Sequence, residues 1–220
     1  MRILVEDDPA FVVAERLAEA ARAGGHVVLT GGEGPRRAYE LAAELEPDWA
    51  GVDVWWGDER CVPPDDERSN FRLANETLLQ RLERRPRGVH RIRGELDPEE
   101  AAQTYEEELR GVTFDLVLNG LGPDGHTASL FPNAPTLDER ERLVVAAEPG
   151  PEPFVPRVTL TIPALSNCRE MVFLATGEEK ADAVKRAFSG PPSAATPASL
   201  VRSEHGETLV VLDEPAASRL

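Results

Sequence analysis

The chain has 220 residues, 41% of them hydrophobic and 29% charged, the balance of one globular domain with a substantial core. A formal net charge of −16 argues against nucleic acid and anionic membranes as general partners, so an anionic ligand would need a locally basic pocket. No apolar run approaches the roughly 20 residues of a membrane span, MRILVEDDPAFVVAERL does not read as a signal peptide, and two cysteines, Cys61 and Cys168, imply no disulfide framework and a reducing, cytoplasmic setting.

Residues 9–23 have helical spacing, with Phe11, Ala14, Leu17 and Ala21 on one side, and Gly24-Gly25 ends that helix. His26–Thr30 reads as a strand, and Pro35 suits the first turn of a helix running to about Leu45. VDVWW (52–56) is a further strand, and Ser69 is a plausible N-cap for NFRLANETLLQRL. Asp97-Pro98-Glu99-Glu100 opens a helix to about Arg110. FDLVLN (114–119) is a buried-type strand, followed by strands at Leu143–Ala146, Val158–Ile162, Met171–Ala175 and Leu209–Leu212. Helices are expected over 178–188 and at the last residues, and the proline-rich stretches 147–156 and 190–198 read as surface loops. Strands alternating with helices predict an α/β fold, a largely parallel sheet with helices on both faces, in a single domain over 1–220. Ligands of such sheets bind beyond the carboxyl ends of the strands, which selects the loops at 30–35, 57–70 and 119–131 and those near 157 and 177.

The strongest of these loops is GLGPDGH, residues 120–126, entered directly from a strand. Gly120, Gly122 and Gly125 permit tight turning and close approach to a ligand. Asp124 and His126 emerge together, and a histidine there can take a proton from water near neutral pH. The same residues also fit a polar turn with an exposed histidine. In 57–70, Asp58, Glu59 and Arg60 make a charged turn, while Arg68, Ser69 and Asn70 also fit plain helix capping. Arg157 and Lys180 are cations near strand ends that can hold a phosphate. TGGEGP at 30–35 suits an anion held on backbone N–H groups, yet it lacks P-loop and dinucleotide-loop spacing and carries Glu33 in its middle. The four histidines show no metal-ligand spacing.

Taken together, WWGDERCVPPDDERSNF, GLGPDGHTASLFP, RVTLTIPALSN, FLATGEEK and PASLV, in this chain order within a match from about residue 26 to the C-terminus, resemble the soluble bacterial 6-phosphogluconolactonases. That family shares its wider group with glucosamine-6-phosphate deaminase and ribose-5-phosphate isomerase. The resemblance implies a Rossmann-like α/β sandwich and hydrolysis of 6-phospho-D-glucono-1,5-lactone to 6-phosphogluconate, the second step of the oxidative pentose phosphate pathway. It implies neither cofactor nor metal, a small phosphorylated sugar lactone as partner, and no nucleic acid or membrane. The oligomeric state is not fixed by it, with a monomer the favoured form. His126 falls at the family's catalytic histidine, Asp124 would orient it or the sugar, and Arg60 would contact substrate and neutralise charge. By position, Thr30, Gly31, Gly32, Glu33, Gly34, Arg157 and Lys180 would surround the phosphate, Gly122 and Gly125 would shape the histidine turn, and Asp58 and Asn70 match motif positions. Where the family usually shows SGGSTP, this chain has TGGEGP, so Glu33 must point away or pair with Arg36 or Arg37. The alternatives are a deaminase or isomerase of the same fold, which carries a glutamate shortly after the histidine where this chain has Ser129, Leu130 and Phe131, and a non-catalytic sugar-phosphate sensor.

Overall fold

The computed structural model describes residues 1–150 and 153–220. Its strands are β1 (Arg2–Val5), β2 (Gly25–Leu29), β3 (Val52–Trp56), β4 (Asp58–Arg60), β5 (Gly88–His90), β6 (Phe114–Gly120), β7 (Val144–Ala147), β8 (Arg157–Leu160), β9 (Cys168–Ala175) and β10 (Glu207–Leu212). Its α-helices are α1 (Pro9–Ala23), α2 (Arg36–Leu45), α3 (Asn70–Thr77), α4 (Pro98–Leu109), α5 (Ile162–Ser166), α6 (Ala181–Phe188) and α7 (Glu214–Ala217).

Seven strands form one parallel sheet in the order β1-β10-β9-β6-β2-β3-β5. Its central strands are buried on both faces, as β3 shows, where all five residues are buried and the one charged side chain, Asp53, pairs with Arg87. From β2 the chain steps to β3 through α2, and from β9 it steps the opposite way to β10 through α6. Right-handed crossovers then place α2 and α6 on opposite faces. The direction of winding reverses between β2 and β6, and the loops leaving those two strands open a crevice there. No described helix is long and apolar enough to cross a membrane.

Of the strands expected from the sequence, β2, β3, β6 and β10 agree within two residues at each end, and β9 starts at Cys168, three residues before the expected Met171. It did not anticipate β1, β4 or β5. Nor did it foresee a second, antiparallel sheet, β4-β8-β7, in which Asp58 pairs with Thr159 and Arg60 with Arg157. The strand expected over 158–162 is instead Arg157–Leu160, because Thr161 caps α5 and Pro163 sits in its first turn. Within the proline-rich stretch 147–156, Pro151 and Glu152 lie outside the described residues.

Candidate active site

A cleft of about 230 Å³ lies over the carboxyl ends of β2, β3, β6 and β9. Thr30–Gly34, Asp58, Arg60, Asn70, Gly122, His126, Arg157 and Lys180 all line it, although they are spread over 150 positions of the chain.

The loop after β2 is held at its base by one tyrosine. Tyr39 on α2 accepts from Thr30 N–H (2.9 Å) and donates to Thr30 O (2.6 Å), and burial raises its phenol's pKa, so the group stays neutral. Beyond it, the N–H groups of Gly31, Gly32, Glu33 and Gly34 donate to nothing among the described residues. Gly32 has φ +84°, open to glycine at no cost. Gly31 is required for a different reason: a Cβ there would lie 1.8 Å from Asn70 Oδ1. Glu33 turns outward, its side chain 86% exposed, and meets Arg36 Nε at 3.1 Å. Arg37 is committed elsewhere, to Asp8.

The loop after β6 presents His126. Its Nδ1 lies 2.5 Å from Asp124 Oδ1, which also accepts the His126 N–H at 3.1 Å. Burial raises the Asp124 pKa, but the hydrogen bond from His126 and the charge on that ring outweigh it, so the carboxyl titrates below its usual range. An ionised Asp124 holds the proton on Nδ1 and leaves Nε2 with the lone pair. Asp124 itself is not part of the cleft wall and faces a neighbouring cavity. Gly125 is likewise set back: at φ +96° it makes the turn and packs against Thr196. Gly122 does line the cleft, and a Cβ on it would come within 2.1 Å of the imidazole.

Two arginines meet across the small sheet. Arg60 and Arg157 are direct partners in the antiparallel pairing, where like charges oppose each other. Burial first, and then the charge of Arg60, lowers the Arg157 pKa. Arg157 donates to Val155 O (3.2 Å) and Pro153 O (2.9 Å). Arg60 donates from NH1 to Arg68 O (2.6 Å), while its buried Nε has no partner among the described residues. Lys180, after β9, is half-buried with its pKa lowered by that burial. A protein of net charge −16 thus gathers three cations around one cleft.

Two residues that the sequence reading did not select tie these parts together. Ser129 is fully buried and donates to Asp58 Oδ2 (2.5 Å), fastening the histidine loop to β4. Glu59, also buried, accepts hydrogen bonds from Arg60 and from the first turn of α3. Both sit inside the motifs quoted above, but apart from Arg60 their side-chain partners lie 10 to 71 positions away, and no local pattern reports that. Among the described residues no group of three His, Cys, Asp or Glu side chains is arranged to hold a metal ion.

Comparison with known proteins agrees with this architecture. A 6-phosphogluconolactonase of Streptomyces coelicolor is 39% identical over 92% of this chain and 85% of its own length. A human 6-phosphogluconolactonase is 40% identical over 96% of this chain and 88% of its own. The crystal structure of 6-phosphogluconolactonase from Thermotoga maritima superposes with a TM-score of 0.87 at 34% identity, covering 96% of this chain and 99% of that one. Residues 6–210 match the family described as glucosamine-6-phosphate isomerases/6-phosphogluconolactonase, and the chain belongs to that family.

Proposed function

We propose that this chain hydrolyses 6-phospho-D-glucono-1,5-lactone to 6-phosphogluconate, working as one catalytic domain. The observation that carries the reading is the placement of a carboxylate-oriented histidine in the same cleft as three cations and four unused backbone N–H groups. The phosphate sits on the Gly31–Gly34 loop, at the N-terminal end of α2, with Arg157 and Lys180 beside it. The lactone ring then reaches toward His126, with Asp58 and Asn70 available to its hydroxyls.

In the first step Nε2 of neutral His126 takes a proton from water, and the water oxygen bonds to the lactone carbonyl carbon. The resulting oxyanion is neutralised by Arg60, which lines the cleft. In the second step the bond from that carbon to the ring oxygen breaks, and the imidazolium returns its proton to the departing oxygen. The carboxylic acid product releases a proton to solvent, and His126 is neutral again. Ring-opening isomerisation is less well served: Thr127, Ser129 and Leu130 are buried, and no carboxylate follows the histidine before Asp138. A direct assay tests the reading. Purified protein should hydrolyse the phosphorylated lactone well above the spontaneous rate and the unphosphorylated lactone poorly. Equal rates on the two, or none on either, would refute it.

A further inference from the structure

Glu59 lies between two cleft residues, Asp58 and Arg60, and points the other way, as alternation along a strand requires. It is 3% exposed. Its carboxylate accepts four hydrogen bonds: from the N–H groups of Arg60 (2.7 Å), Asn70 (2.7 Å) and Phe71 (2.8 Å), and from Ser69 Oγ (3.0 Å). The Asn70 and Phe71 N–H groups open α3 and have no partner within the helix. Three of the four donors cannot accept, and the fourth, Ser69 Oγ, could accept from a protonated Glu59 only by giving up the bond it donates. A proton on Glu59 therefore has no place to go without breaking one of these bonds.

What Glu59 holds reaches the cleft from two sides. Arg60 extends along one wall. Asn70 donates to Asp58 O (2.9 Å) and Asp58 Oδ1 (3.1 Å), and its amide is the surface against which Gly31 is pressed. We propose that Glu59 is a positioning residue whose ionised carboxylate holds Arg60, Asn70 and, through Asn70, the Gly31–Gly34 loop in the arrangement that hydrolysis needs. This rests on the cleft being a phosphorylated-lactone site.

Burial pushes the Glu59 carboxyl up to about 7, against the four hydrogen bonds that favour its charge. The ionisable groups facing it are Arg91 beyond β5, Arg157 on β8, Cys61 and Tyr105 on α4. As pH falls below neutrality, a proton on Glu59 then loosens the parts that it holds. On the acid side, kcat/KM of the wild type should therefore fall more steeply than that of a variant that cannot take this proton.

The experiment is a pH profile of kcat/KM on the phosphorylated lactone between about pH 5 and about pH 8, with spontaneous hydrolysis subtracted. Wild type, E59Q and E59D are compared, and 6-phosphogluconate affinity is measured by calorimetry. We expect the wild-type profile to fall more steeply on the acid side than that of E59Q. E59Q should be folded and about 10- to 100-fold lower in kcat/KM at the alkaline end. E59D should keep the steeper slope with part of the activity, and product affinity should weaken in E59Q. E59Q with wild-type kcat/KM and product affinity overturns the assignment. A wild type that neither hydrolyses the lactone nor binds 6-phosphogluconate overturns the function itself, a failure distinct from an active enzyme indifferent to Glu59.

Discussion

Gly31→Ala is the sharpest perturbation of the anion loop. The new Cβ would stand 1.8 Å from Asn70 Oδ1 and 2.2 Å from its Cγ. An ordinary carbon–oxygen contact needs about 3.4 Å, so something must move by roughly 1.5 Å. Asn70 cannot yield easily, because its amide is held by Asp58 O and Oδ1 and its N–H by Glu59. The loop therefore shifts, and a displacement of that size breaks a hydrogen bond to a bound phosphate. One hydrogen bond to a charged group contributes about 1.5–3 kcal/mol, or about 10- to 150-fold in affinity. Steady-state kinetics on the phosphorylated lactone should show KM rising by that factor with kcat changed less than about threefold, because His126 is carried by a different loop. Gly34→Ala is the matched control. Nothing lies within 4 Å of its added Cβ, so KM should stay within about twofold. If G31A keeps the wild-type KM, or G34A loses as much, the loop does not bind phosphate through its backbone.

His126→Ala should lower kcat by about 10²–10⁴ with little change in melting temperature; a wild-type rate after correction for spontaneous hydrolysis would remove it from the mechanism. Arg157→Ala and Lys180→Ala should each raise KM strongly for the phosphorylated lactone and hardly at all for gluconolactone, and equal losses on both substrates would sink the phosphate assignment. Glu33→Ser should leave kcat unchanged and KM equal or lower, since the carboxylate it removes is exposed and paired only with Arg36. Asp124→Asn should lower kcat by about 10²–10⁴, because an amide facing Nδ1 no longer fixes the tautomer. The folded-state pKa of Asp124 is depressed, so its stabilising contribution is present above the ordinary carboxylate range and is lost as pH falls through the lowered value. Acid unfolding curves of D124N should lack that component.

The central sheet was legible because parallel strands buried on both faces read as mostly apolar runs, as VDVWW and FDLVLN do apart from Asp53, Asp115 and Asn119. Helix starts were legible for a local reason too: Ser69 and Asp97 accept from N–H groups two or three residues on. β4 was not legible, because Asp58-Glu59-Arg60 becomes a strand only by pairing with β8, 97 to 101 positions later. The face-to-face approach of Arg60 and Arg157 follows from that pairing and was hidden with it. Glu33 shows an intermediate case. The sequence narrowed it to two conformations, outward or paired with Arg36 or Arg37, and the structure has it both outward and paired with Arg36.

Arg60 and Arg157 oppose each other on neighbouring strands, and the charge of Arg60 adds to burial in lowering the Arg157 pKa. A phosphate bound beside Arg157 would offset that repulsion, which the empty cleft keeps. Any small dianion that fits, inorganic phosphate included, should then raise the melting temperature in proportion to the logarithm of its concentration. Replacing one of the two arginines with a neutral residue should have the opposite pair of effects, steadying the empty protein while weakening its grip on phosphate. Stability and affinity would thus be traded at a single rung of a three-residue strand.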